Sequence, residues 1–159
     1  MNKKPSIVNE EPKPIDLIRT WEKRGYSIGF TNGCFDLIHP GHISLLHCAK
    51  NECDKLVVGL NSDSSVAKLK GKDRPIQKEN ARATVLLALK DVDVVIIFNE
   101  ETPIKLIELI KPDVLIKGGD YKIDEIVGAE FIQQNGGRVV LSDYKNGHRT
   151  SEIIKKIES

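Results

Sequence analysis

Two histidines, His39 and His42, stand three residues apart in the stretch TNGCFDLIHPGH, residues 31–42, with Pro40 and Gly41 between them. Proline suits the first turn of a helix, where its missing N–H would have had no partner. Gly41 leaves room beside the backbone N–H groups that a helix start exposes. Those donors and the positive end of the helix macrodipole make a seat for phosphate oxygens. Two imidazoles placed there can donate hydrogen bonds to the same oxygens without the bulk of lysine or arginine. A free imidazole titrates near pH ~6.5. A helix N-terminus disfavours its protonation and a bound polyphosphate favours it, so the sequence leaves the charge state open.

Other chemistries fit these residues less well. The stretch is not GxGxxG and lacks the GK[ST] of a P-loop. Zinc could be drawn from Cys34, His39, His42, His47 and Cys48, but their spacing matches no standard ligand set, and His47 projects differently along a helix. No protein-held metal is expected. A plainer reading, in which the two histidines only cap the helix, remains open.

The histidines need elements to hold them, and the chain alternates in a way that provides these. Residues 28–31 read as a strand, and HISLLHCAKN as a helix with Leu45, Cys48 and Ala49 on its inner face. KLVVGL (55–60) is a second strand, 80–90 a helix with the stripe Ala81, Val85, Ala88 and Leu89, and VDVVIIF (92–98) a third strand. Thr102 is placed to cap a further helix, with Pro103 at its first position and Pro112 just beyond its end. DVLIK (113–117) and 138–141 complete the strands, with a helix around 125–134 between them and a last helix starting at Thr150 or Ser151. An earlier helix carries Ile15, Leu17, Ile18 and Trp21 and stops at Gly25. Strands that are short, β-branched and apolar on both faces suit a parallel sheet covered on each side. The expected fold is therefore a single-domain, Rossmann-like, doubly wound α/β sheet of about five parallel strands. Ligands of such sheets sit beyond the carboxyl ends of the strands. That rule gathers TNGCFDLIHPGH, NSDSS and KGGDYK in one crevice, with GHRTS able to close over it.

At 159 residues the length suits one domain, which we place at 15–159 behind a loose polar arm at 1–14. A net charge of +1 gives no ground for nucleic-acid binding. No apolar run approaches membrane-spanning length, and the first residues lack the apolar core of a secretion signal. Three cysteines without a CxxC pair read as reduced thiols in a cytoplasmic protein.

TNGCFDLIHPGH resembles the HxGH loop of the nucleotidyltransferase superfamily that includes the cytidylyltransferases and pantetheine-phosphate adenylyltransferase. With VVGLNSD, LKGKDRPI, DVLIKGGDY and the closing TSEII segment, the pattern is most similar to the D-glycero-β-D-manno-heptose 1-phosphate adenylyltransferase branch, from about Ser27 to Ile157. FTNGCFD together with KGGDY is the more specific part. The resemblance implies transfer of the adenylyl group of ATP to heptose 1-phosphate, giving ADP-heptose and pyrophosphate for lipopolysaccharide core synthesis. It implies Mg²⁺ held largely by phosphates and water, and it is compatible with a homodimer. In bifunctional relatives a sugar kinase precedes this domain; here the expectation is a stand-alone transferase supplied by a separate sugar kinase. A cytidylyl- or guanylyltransferase acting on another sugar or polyol phosphate, and a nucleotide sensor without turnover, are the alternatives.

The resemblance also assigns roles. His39 and His42 would steady the α-phosphoryl transition state, with Lys70 as a third catalytic group. Thr31, Asn32, Gly33, Cys34, Phe35 and Gly41 would cradle the nucleotide, joined by Arg82, Lys117 and Gly118 and by Thr150 and Ser151 on the β- and γ-phosphates. Asp36, Asn61, Asp63, Lys72, Gly119, Asp120 and Tyr121 would meet the sugar phosphate. Bland readings stand beside several of these. Asp36 can be a cap that holds the loop in shape, Arg82 a solvent-facing arginine, the lysine run around Lys70, Lys72 and Arg74 a solvated loop, and KGGDY a tight turn. The tail departs from the family pattern: Arg149 replaces a serine, and Tyr144 stands where some relatives have arginine.

Overall fold

The computed structural model describes residues 13–119, 121–143 and 148–159. Five strands, β1 (Ile28–Gly33), β2 (Lys55–Asn61), β3 (Val94–Phe98), β4 (Val114–Gly118) and β5 (Arg138–Ser142), form one parallel sheet in the order β3-β2-β1-β4-β5. The helices between and around them are α1 (Pro14–Lys23), α2 (Pro40–Asn51), α3 (Asp63–Lys70), α4 (Glu79–Ala88), α5 (Ile104–Ile110), α6 (Ala129–Gln134) and α7 (Thr150–Glu158).

The strand sequences are apolar at successive positions because both faces are covered. Phe30, Val57, Val94 and Leu115 pack on one side against Ile18 of α1, Leu106, Ile107 and Ile110 of α5, and Ile132 of α6. Leu56, Val58, Leu60, Val95 and Ile116 pack on the other against Leu46 and Ala49 of α2 and Ala83 and Leu86 of α4. Each such side chain contributes about 1.5–3 kcal/mol when fully buried. This is the doubly wound α/β fold expected from the alternation.

The strand order reverses direction at β1, and the sheet parts there. β1 stays paired with β2 as far as Gly33 opposite Leu60. Its last pair with β4 is Phe30 opposite Leu115, while β4 runs on beside β5 to Gly118 opposite Ser142. The last residues of β1 and β4 therefore border an opening at the topological switch point, where sheets of this kind bind ligands.

Several boundaries differ from the expectation. NSDSS is the start of α3 rather than a crevice loop: Ser62 Oγ accepts from Ser65 N at 3.2 Å, a side-chain cap that a serine-rich run can supply as readily as a turn. The helix expected at 125–134 is a 3₁₀ turn, Ile123–Glu125, followed by α6. Gly128 separates them with φ +87, and a Cβ there would lie 2.7 Å from Ile107 Cδ1. Thr102 does not cap α5; Pro103 occupies the N-cap position, so the helix starts at Ile104. β3 begins at Val94, because Asp93 turns its carboxylate onto Leu56 N at 2.9 Å. Pro14, placed in the arm by sequence, opens α1, whereas residues 1–12 lie outside the described residues.

Candidate active site

α2 begins at the opening, and its first turn is built by the two histidines themselves. His39 is the N-cap in extended backbone and Pro40 is the first helical residue. His39 Nδ1 accepts from Gly41 N at 3.1 Å, and His42 Nδ1 accepts from His39 N at 3.3 Å. The capping reading and the phosphate reading are thus compatible, since each ring caps with Nδ1 and its Nε2 takes no part in the cap. The rings stack with centroids 3.8 Å apart, and Phe35 tilts against His42 at 5.1 Å. Phe35 is held in left-handed backbone at φ 44, a conformation costing roughly 1–2 kcal/mol for a residue with a Cβ, which burial of its ring offsets.

The electrostatics favour neutral rings. Burial, the neighbouring His39 and the Lys70 ammonium push His42 from 6.5 down to about 4, with the Leu37 carbonyl pulling weakly the other way. His39 is lowered by burial and then by His148, whose ring lies 6.4 Å away. With Nδ1 accepting, the proton of each neutral ring sits on Nε2, which makes it a hydrogen-bond donor.

The histidines line a crevice of about 650 Å³. Of the residues singled out by sequence, Gly41, Lys70, Gly118, Tyr121, Thr150 and Ser151 share that wall. The first turn of α7 brings Thr150 against the loop, with Oγ1 donating to Leu37 O at 3.4 Å. Arg74, His148, Arg149 and Asp143 also line the crevice and had no assigned role or only a conjectured one. Arg74 donates from Nε to Asp36 at 2.9 Å, while its buried Nη2 has no partner. A buried donor without an acceptor at the edge of an anion site was not legible from a run of charges. His148 was missed because it stands more than a hundred residues from the HxGH stretch.

Other expected contacts are placed elsewhere. Asp36 is buried and accepts from Ile76 N, Gln77 N and Arg74 Nε, so it holds the loop rather than a substrate. Burial alone would raise its pKa, but those three donors outweigh burial and hold the carboxyl below its ordinary range. Arg82 is neither at the crevice nor solvent-facing. Its fully buried guanidinium donates to Gln77 O, Cys34 O and Asn61 O and to Asp63 Oδ1, all within 2.9 Å. Asp63 is thereby committed to Arg82, and Asn61 donates its amide to Ser65 Oγ at 2.9 Å inside the protein. These four residues join β2, α3, α4 and the loop after β1; they position the site without lining it. Lys72 is exposed and outside the crevice wall, as is Gly119. Asp120 and Tyr144 lie outside the described residues.

Four residues of the expected cradle remain at or near the opening. Thr31 is fully buried with Oγ1 unpartnered, and Asn32 Oδ1 is likewise buried without a partner. Gly33 lies close to the Phe35 ring, where a Cβ would come within 3.0 Å. The Cys34 thiol is raised by burial despite the cations Lys70, Arg82 and Arg74 nearby. Lys117 is pulled from 10.5 to about 8 by burial, against a small opposing effect from Cys34. All three cysteines are free thiols. Among the described residues no three His, Cys, Asp or Glu side chains converge as a metal site, and no helix is long and apolar enough to cross a membrane.

Comparison with known proteins agrees with this geometry. Residues 30–156 match the cytidylyltransferase-like family. The chain is 56% identical over 142 residues to the bifunctional protein HldE of Paramagnetospirillum magneticum, covering 89% of this chain and 29% of that protein. It is 52% identical over 143 residues to HldE of Caulobacter vibrioides, covering 90% and 30%. The chain thus spans less than a third of the length of these relatives. A lipopolysaccharide core biosynthesis protein from Thermoplasma volcanium superposes with TM-score 0.61 at 32% identity, over 78% of this chain and all of that one. A pantoate-β-alanine ligase from Francisella tularensis shares the fold, with TM-score 0.58 at 19% identity, over 84% of this chain and 66% of that one. An HxGH helix start facing the switch point of a parallel sheet, in a chain this similar, identifies a nucleotidyltransferase of the cytidylyltransferase-like family.

Proposed function

We propose that the protein transfers the adenylyl group of ATP to D-glycero-β-D-manno-heptose 1-phosphate, releasing pyrophosphate and forming ADP-heptose. The observation that carries the reading is the pair His39 and His42. Their Nδ1 atoms are engaged by the first turn of α2 and both rings line the crevice, which supports Nε2–H of each ring as the donor for a phosphate oxygen, with the Leu37 carbonyl as the competing acceptor at His42. The similarity to the HldE proteins and to a lipopolysaccharide core biosynthesis protein supports the choice of acceptor.

Phosphoryl transfer of this kind needs alignment and charge stabilisation more than covalent help. The nucleotide triphosphate lies along the wall that holds the α2 start, Lys70, Arg74, His148 and the α7 start with Thr150 and Ser151. A sugar-phosphate oxygen attacks the α-phosphorus. The bond from that phosphorus to the bridging oxygen breaks, and the electron pair leaves with pyrophosphate. His39 and His42 donate to the α-phosphoryl oxygens as charge accumulates there. Mg²⁺ would enter as MgATP, held largely by phosphates and water and neutralising charge on the phosphates, since Asp143 is the one carboxylate on the crevice wall among the described residues.

The test is a panel of ATP, CTP, GTP and UTP, each with heptose 1-phosphate, scored by pyrophosphate release. ATP is expected to be used at least tenfold better than the others. Preference for CTP or GTP would replace the adenylyl assignment, and ATP binding without turnover on any sugar 1-phosphate would replace the enzymatic one.

A further inference from the structure

The two sides of the β1–β4 opening are chemically different. Side chains alternate along a strand, so Thr31 and Ile116 face α2 and the histidines, whereas Asn32 and Lys117 share the opposite face with Phe30 and Leu115. Continuing the register two steps past the last pair, Phe30 with Leu115, sets Asn32 across from Lys117. Neither residue lines the crevice that holds the histidines; Gly118 and Tyr121 stand at the boundary. Asn32 Oδ1 is buried with no partner. The Lys117 ammonium lies 5.9 Å from the Tyr121 ring centroid, and among the described residues no carboxylate pairs with it. Burial has already lowered its pKa to about 8.

A buried acceptor without a partner, as at Asn32 Oδ1, is costly unless a ligand completes it, and the half-buried Lys117 ammonium across the register has no carboxylate partner among the described residues. Nζ calls for an anion, and Oδ1 for a hydrogen-bond donor beside it. A sugar 1-phosphate carries both on neighbouring carbons, the phosphate on C1 and a hydroxyl on C2. The reaction geometry makes the same demand. In-line displacement requires the attacking oxygen to arrive opposite the leaving pyrophosphate, so an acceptor cannot share the wall that anchors the β- and γ-phosphates.

We propose that Lys117 and Asn32 seat the acceptor substrate across the β1–β4 opening from the histidines, the ammonium on its phosphate and the carboxamide oxygen on the adjacent hydroxyl. This rests on the sugar-phosphate reading above and replaces the nucleotide contact expected for both residues. One phosphate oxygen not held by Nζ forms the new bond to the α-phosphorus as the bond to the pyrophosphate oxygen breaks. No proton leaves Lys117, which acts as an anchor.

Lys117→Met and Asn32→Ala test the assignment by steady-state kinetics in each substrate separately. Calorimetric titration of heptose 1-phosphate in the presence of a non-hydrolysable ATP analogue accompanies them. Lys117→Met is expected to raise the acceptor KM and Kd at least tenfold, leave the ATP KM within twofold, and melt no lower than wild type. Asn32→Ala is expected to weaken heptose 1-phosphate severalfold but to have no further effect on its 2-deoxy analogue. Weakened ATP with unchanged acceptor affinity in Lys117→Met would overturn the proposal, as would equal losses of Asn32→Ala on both sugars. Should the wild type make no nucleotide sugar from any NTP, the transfer reading fails on its own. The titration then still decides the seat: weaker binding in Lys117→Met upholds it, and equal or absent binding overturns it.

Discussion

The rings of His39 and His42 lie 3.8 Å apart and 23° from parallel, too close for both to carry charge. Burial, His39 and Lys70 together place the His42 pKa at about 4, against 6.5 for a free ring. The folded protein therefore takes up this proton less readily than the unfolded chain between those values. Stability from His42 is fully present above pH 6.5 and is lost as pH falls towards about 4. His39, also lowered, acts in the same direction. Thermal midpoints measured across that window should fall with pH, and His42→Gln should flatten the fall. In the same window kcat/KM, which reports the free enzyme, should show no step at the usual imidazole pKa. A step at 6.5 that disappears in His42→Gln would mean the rings titrate as free histidines.

Each ring has two tasks, and substitutions can separate them. His39→Asn keeps a side-chain acceptor at the N-cap, a position asparagine fills well, but removes Nε2. It should melt within about 0.5 kcal/mol of wild type, as a cap-preserving change does, and still lose about 10²-fold in kcat if the lost donor serves the transition state. His42→Ala removes both functions. It should show a similar or larger loss of kcat together with about 1 kcal/mol of lost cap stability. Full activity in His39→Asn would leave capping as the only role of that ring.

Arg82 gives the opposite prediction. Its buried guanidinium joins Cys34 O, Gln77 O and Asn61 O to Asp63. Removing one partner of such a network strands the others and costs about 3–5 kcal/mol. Arg82→Ala and Arg82→Lys should both lower the denaturation midpoint, because an ammonium cannot reproduce the planar fork. Activity should be lost in step with folding. A normally stable Arg82→Ala protein with a raised ATP KM would return this arginine to the ligand.

How much of this was legible follows from where each residue's partners lie. The parallel sheet was readable because β-branched runs record burial locally, as in VDVVIIF, but the helix stripes were offset: Leu46 rather than Leu45 or Cys48 is buried beside Ala49 in α2, and Ala83 and Leu86 are buried in α4 where Ala81, Val85 and Ala88 are exposed. The histidine turn was readable because Pro40 and Gly41 mark a helix start in four consecutive residues. Asp36, Asn61, Asp63 and Arg82 were given ligand contacts, or for Asp36 a loop cap as the other reading, while their hydrogen-bond partners 4 to 48 residues away were not legible, because a polar side chain at a strand end looks the same whether it faces ligand or protein. α3 was missed because a serine-rich run spells both turn and cap. His148 and the unpartnered Arg74 Nη2 belong to the site only through the folding of the tail and of the lysine loop onto α2.

The lysine loop supplies the last prediction, since the fold separates two residues that sequence grouped together. Lys70 ends α3 with its side chain at the crevice, near enough to His42 to help depress the ring's pKa. Lys72, two residues on and beyond Gly71 at φ +102, is exposed and does not reach that wall. If Lys70 neutralises charge on the phosphates as they rearrange, Lys70→Met should lower kcat/KM by about 10- to 10²-fold, a loss typical of one removed electrostatic contact. Lys72→Met should stay within about twofold, as a solvated surface charge does. Lys70→Met should also raise the His42 pKa, readable as a move of the midpoint to higher pH in an NMR titration of the imidazole. Equal losses in both variants would mean that the loop acts by its net charge, and an unchanged His42 titration would mean that the Lys70 ammonium lies elsewhere in solution.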